Sequence, residues 1–149
     1  MIRKVVLVMW LTLGCTWAEE LALEKRIGQM LMGGFHGIDA PKESQICQDI
    51  RNYNIGAVIL FDYNPVDKNK PKNIASKAQL TKLTKELQAC SMDGKLLIAV
   101  DQEGGRVQRL KSKYGFYGQF PKAADVIKMD QSAVKATYTK MSRELRSVG

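Results

Sequence analysis

Residues 96–109 read Leu-Leu-Ile-Ala-Val-Asp-Gln-Glu-Gly-Gly-Arg-Val-Gln-Arg. The first five are apolar without a break, a run that suits a strand covered on both faces, as in a parallel sheet. Asp93-Gly94 supplies a turn before it. Everything from Asp101 onward is polar or glycine except Val107, so the chemistry is concentrated at the strand's carboxyl end, where parallel α/β folds bind ligands. A second such run, Ala57-Val-Ile-Leu-Phe61, lies upstream behind the punctuation of Asn54 and Gly56. Between the two runs, Asn64–Lys72 is rich in Pro, Asn, Asp and Lys and reads as loop. It is followed by a helix over Ala75–Ala89 with Leu80, Leu83 and Leu87 on one side. Strand–helix–strand order implies βα units and a parallel sheet.

The pattern extends in both directions. Leu23, Ile27, Met30 and Leu31 fall at helical spacing and predict an opening helix with one apolar face, and Met32–Phe35 predicts a first short strand. Ser44 is placed to cap a helix carrying Ile46, Ile50 and Tyr53. Val134, Tyr138, Met141, Leu145 and Val148 predict a final helix. That is about three strands in 149 residues, whereas a closed (β/α)8 barrel takes roughly 200 residues or more. The expected fold is therefore α/β: the N-terminal portion of a TIM (β/α)8 barrel, incomplete at this length, with sheet edges left uncovered.

Residues 1–18 read as a signal peptide, with Arg3 and Lys4 as a basic start and an uncharged apolar run from Val5 to Gly14. The run is too short to span a bilayer comfortably, so no stable membrane span is expected. Leu-Thr-Leu-Gly-Cys at 11–15 is an imperfect lipobox that leaves a lipid anchor at Cys15 open beside simple secretion. Either route places the protein outside the cytoplasm, in the periplasm or cell envelope. The remaining cysteines, Cys47 and Cys90, fit a disulfide in an oxidising compartment or two buried free thiols on separate helices.

A net charge of +8, with 45% apolar and 26% charged residues, fits a folded domain with a lysine-rich solvated surface. Nucleic-acid binding is not expected. Lys113–Phe120 matches the RNA-binding consensus K/R-G-F/Y-G/A-F-V-x-F/Y only at Lys113, Tyr117 and Phe120. Paired histidines, Cys-x-x-Cys and phosphate-loop spacings are missing from the sequence, so neither a metal nor a cofactor is expected.

Asp101 would face the mouth of the fold beside Glu103. Gly104 and Gly105 permit positive φ and close backbone approach, and Arg106 and Arg109, three apart, would share a face of a short helical turn. Carboxylate and guanidinium together suit a polyhydroxylated ligand. A structural Asp–Arg pair rimming a turn explains the same residues equally well. His36, the single histidine, follows the first strand and reads as a rim residue rather than a catalytic one.

Asp101–Arg109 resembles the substrate-binding motif of bacterial family-3 glycoside hydrolases of the β-N-acetylhexosaminidase kind. Ile27–Met32 with Gly34-Phe35, Ile55–Phe61 with Asn64, Phe120-Pro121 and Glu144–Gly149 resemble that family's other elements in the same order. The resemblance implies residues 19–149 to be part of the N-terminal barrel domain, in a monomer that acts on carbohydrate. It implies Asp101 and Arg109 to bind the sugar at the cleavage subsite, with Glu103, Gly104, Gly105 and Arg106 supporting the loop. It further implies a retaining mechanism with a carboxylate nucleophile and a His–Asp acid/base. The segments that carry those groups in the family correspond to positions beyond Gly149, so no catalytic residue is expected within this chain. The expected substrates are terminal β-linked N-acetylhexosamines of peptidoglycan fragments or chito-oligosaccharides. A β-glucosidase-like specificity and an inactive sugar-binding remnant are the alternatives.

Overall fold

The computed structural model describes residues 22–149. Residues 1–18, expected to be a signal peptide with a possible lipid anchor at Cys15, lie outside the described residues. Among the described residues, no helix is long and apolar enough to cross a membrane.

The elements run α1 (Leu23–Gln29), β1 (Met32–Gly34), α2 (Gln45–Tyr53), β2 (Ala57–Leu60), α3 (Lys77–Cys90), β3 (Leu97–Val100), a hairpin of β4 (Gln102–Gly104) and β5 (Val107–Gln108), α4 (Ala123–Val126) and α5 (Gln131–Arg146). The strands β1, β2 and β3 form a parallel sheet in that order, with Met32, Ala57 and Leu97 in register. Both apolar runs are thus strands, and the helix between β2 and β3 is the crossover that parallel pairing requires.

Local signals set the helix ends. Ser44 accepts from the Cys47 amide and caps α2, while Asn54 closes that helix in the left-handed region at φ 56°. Ser76 and Gln79 form a reciprocal capping box at the start of α3. Asp130 accepts from the amides of Ser132 and Ala133 at the start of α5.

Alternation along the strands separates two faces. Val58, Leu60, Ile98 and Val100 point to the helices and join Ile46, Ile50, Leu83 and Leu87 in the core. Ala57, Ile59, Leu97 and Ala99 line the other face. There Met32 and Leu97 remain 49% and 60% exposed. Cys47 and Cys90, both buried, are joined in a disulfide that ties α2 to α3, with Cα atoms 5.1 Å apart. That decides between the two states the sequence left open.

Two expectations are corrected. The opening helix forms, but it stops at Gln29, and Leu23, Ile27, Met30 and Leu31 are all about half exposed or more. No described element covers its apolar stripe, and Gly28 is its buried residue. Arg106 and Arg109 do not share a helical turn, because the segment is the β4–β5 hairpin with an irregularity between Gln102 and Gly104. Gly104 and Gly105, at φ +84° and +62°, reverse the chain where a helix would have needed negative φ.

Candidate functional site

The site is assembled at the carboxyl ends of β2 and β3. β3 delivers Asp101 as the first residue past its end, and the hairpin returns Arg109 to meet it. Arg109 Nη2 donates to Asp101 Oδ2 at 3.3 Å. β2 contributes Phe61 and Asp62 in the same way. The Arg109 guanidinium carbon lies 5.6 Å from the centre of the Phe61 ring, and Nη1 is 3.7 Å from Asp62 Oδ1. Lys72 Nζ also sits over Phe61, at 4.5 Å.

Asp62 is the residue that sequence reasoning missed. Its side chain is only 2% exposed, its Oδ2 takes Lys111 Nζ at 2.5 Å, and the Tyr114 hydroxyl donates to the same oxygen at 3.4 Å. The four charges Asp62, Asp101, Arg109 and Lys111 therefore cancel within one cluster, which lowers the cost of holding a carboxylate out of water. Its position just past an apolar run was visible in the sequence. Its cationic partner, 49 residues downstream, was not.

The hairpin is held by amides. Gln102 Oε1 accepts from the backbone N–H groups of Arg109 and Leu110 at 3.0 and 3.1 Å. The buried Gln108 donates to the Leu110 and Gly118 carbonyls and accepts from Phe120 N–H at 2.9 Å. Gly105 N–H donates to Phe120 carbonyl at 2.8 Å. A Cβ on Gly104 would lie 2.2 Å from the Pro121 carbonyl oxygen, so hairpin and following loop touch backbone to backbone.

Behind β2, the fully buried Asn73 ties the loops together. Its Oδ1 accepts from Phe61 N–H at 3.0 Å, and its amide donates to the Phe35 and Gly37 carbonyls at 3.1 and 3.0 Å. This fixes the point at which Phe61 and Asp62 leave the strand.

Of the residues expected at the site, Asp101 and Arg109 are brought together. Gly104 and Gly105 lie in the hairpin against the loop that includes Pro121 and Lys122. Glu103 and Arg106 are exposed, and their side chains make no hydrogen bond or ion pair among the described residues. Gln102 and Gln108 occupy the supporting positions instead. His36 is exposed, at the same end of the sheet. Lys113, beside Tyr114, has its ammonium pKa raised by the hydrogen bond to that phenol. Among the described residues, no group of three or more His, Cys, Asp or Glu is placed to hold a metal ion. The arrangement provides a partly exposed acceptor, Asp101, beside a donor, Arg109, placed over an aromatic ring, which is chemistry suited to hydroxyl groups.

The profile of the glycosyl hydrolase family 3 N-terminal domain matches residues 22–149, all of the described chain. The chain belongs to that family. Beta-hexosaminidase A of Pseudoalteromonas piscicida is 31% identical over 111 residues, covering 70% of this chain and 17% of that protein. Among solved structures, a family 3 β-N-acetylglucosaminidase from Paenibacillus sp. str. FPU-7 superposes with a TM-score of 0.69 at 31% identity, over 86% of this chain and 22% of that one. A β-N-acetylhexosaminidase from Beutenbergia cavernae DSM 12333 gives a TM-score of 0.64 at 29% identity, over 87% and 36%. The chain thus spans between about a sixth and a third of the length of these relatives. Its α/β architecture is that of the family 3 N-terminal domain.

Proposed function

We propose that the polypeptide carrying these residues is a glycosidase that removes terminal β-linked N-acetylhexosamine, with retention of configuration, outside the cytoplasm. In this reading Asp101 and Arg109 bind the sugar, and the acid/base and nucleophile lie on parts of the barrel that follow β3 and α5. The observation that carries it is the Asp101–Arg109 pair, open to solvent at the carboxyl ends of adjacent parallel strands, in a chain of the family 3 N-terminal domain.

Other features support the surrounding details. The half-exposed apolar face of Met32 and Leu97 suits the interior of a larger barrel. The Cys47–Cys90 disulfide suits an oxidising compartment, in line with export. The relatives named for N-acetylglucosamine or N-acetylhexosamine favour that sugar class over glucose. Peptidoglycan fragments and chito-oligosaccharides both present such termini.

The test is turnover of a chromogenic β-N-acetylglucosaminide by the full natural polypeptide and by its Asp101→Ala variant. Losing two hydrogen bonds to a charged acceptor, at about 1.5–3 kcal/mol each, lowers kcat/KM roughly 10²–10⁴-fold. Residues 1–149 expressed alone release no product. Unchanged kinetics in Asp101→Ala would refute the sugar-binding role. Turnover by residues 1–149 alone would refute the placing of the catalytic groups elsewhere.

A further inference from the structure

The Arg109 guanidinium is suspended between two carboxylates and held tightly by neither. Charge-assisted N–H···O bonds close to about 2.7–2.9 Å when free to do so, and an arginine fork readily takes both oxygens of one carboxylate. Here the distances are 3.3 Å to Asp101 and 3.7 Å to Asp62, and Arg109 Nε is buried without a hydrogen-bond partner. The guanidinium stands off from Asp101 and has a second carboxylate, Asp62, on its other nitrogen.

Asp62 Oδ1 is the competing carboxylate oxygen. Its twin, Oδ2, is taken by Lys111 and faces the Tyr114 hydroxyl. Oδ1 is buried, has no hydrogen bond, and faces Arg109 Nη1 as its ion-pair partner. With the side chain only 2% exposed, Asp62 has no surface from which to touch a ligand. Its effect on one passes through Arg109.

We propose that Asp62 is a positioning residue that keeps the Asp101–Arg109 pair open for sugar. It competes with Asp101 for the guanidinium and prevents the pair from closing into a two-point fork that would occupy both Asp101 oxygens. Asp101, 38% exposed at its side chain, thereby keeps acceptor capacity for ligand hydroxyls. This inference rests on the sugar-binding reading of Asp101 and Arg109.

The experiment is a double-mutant cycle on the full natural polypeptide, combining Asp62→Asn with Arg109→Ala. KM and kcat are followed on a chromogenic β-N-acetylglucosaminide, and binding of free N-acetylglucosamine by calorimetry. Asp62→Asn keeps the shape and an acceptor for Lys111 while removing the charge. The expected result is a rise in KM and in the sugar's Kd of about tenfold, with kcat within about threefold. In the Arg109→Ala background the same change has no further effect beyond about twofold, because the coupling runs through the missing guanidinium. Two outcomes overturn the proposal: unchanged KM and Kd in Asp62→Asn, or equal losses with and without Arg109, which would mark a general structural role. If wild-type turnover is insensitive to Asp101→Ala, the underlying sugar-binding assignment fails instead, and this proposal with it.

Discussion

Reducing the Cys47–Cys90 disulfide should destabilise the domain substantially without altering its core contacts. The bridge closes a loop with a sequence separation of 43. Loop-closure entropy for that length is about −13 cal/mol/K, or about 4 kcal/mol at 25 °C. Both cysteines are buried, at 0% and 2% exposure, among Ile46, Ile50, Leu83 and Leu87, so reductant needs an opening event before it can act. The protein should therefore be reduced in denaturant, refolded under reductant and compared with the oxidised form by urea unfolding. Reduction is a cleaner perturbation than Cys→Ala, because it leaves both sulfur atoms in the core and opens no cavity. With an m-value of about 2 kcal/mol/M, the midpoint should fall by about 2 M. If thiol mapping confirms that Cys47 and Cys90 are both free and the midpoint stays within about 0.3 M, the entropic argument is wrong. The two helices would then be held together by packing alone.

Asn73→Ala should cost about 2–4 kcal/mol, because it strands the Phe61 N–H and the Phe35 and Gly37 carbonyls in a buried place; chemical denaturation measures it. Gly104→Ala pushes a Cβ to 2.2 Å from the Pro121 carbonyl at a φ of +84°. It should disorder the hairpin and abolish sugar binding while the three-stranded sheet, followed by circular dichroism, persists. Acid should weaken the fold through Asp130, Glu86 and Asp93. The carboxyls of Asp130 and Asp93 are held low chiefly by serine hydroxyls and backbone amides, and that of Glu86 chiefly by Lys82 and then the Ala40 N–H. A depressed folded-state pKa contributes stability above the unfolded value of about 4 and loses it as pH falls through the lower folded value. Tm should therefore be flat near neutrality and drop below about pH 4, and Asp130→Asn should make the drop shallower.

What the sequence revealed and what it hid divide along a physical line. Ala57–Leu60 and Leu97–Val100 were legible because strands of a parallel sheet read as near-continuous apolar runs. The cap of α2 at Ser44 is also local chemistry, settled within three residues. Asp62 was hidden because a carboxylate after a strand looks the same whether it faces water or a lysine 49 positions away. The hairpin was misread because arginines three apart fit a helical turn, and only backbone reversal at Gly104 and Gly105 excludes it. The disulfide was undecidable because Cys47 and Cys90 are ordinary buried positions on their own helices until α2 and α3 pack.

The same line explains why the motif at residues 101–109 gave two equally good readings, sugar binder or structural ion pair. Asp101 and Arg109 do form an ion pair, so the bland reading describes something real. A pair that served only to brace a turn would gain most by closing fully, with short forked bonds and every donor satisfied. This one is long, partly exposed on the Asp101 side, has its guanidinium over an aromatic ring, and leaves Arg109 Nε without a partner. Bracing has been assigned elsewhere, to Gln102 and Gln108, whose amides hold the hairpin without using either charge. With the amides carrying the structure, the partly exposed Asp101 carboxylate keeps acceptor capacity toward solvent, as the proposed sugar-binding role requires. That division of labour favours the binding reading, and it rests on the geometry of this chain apart from any likeness to its relatives.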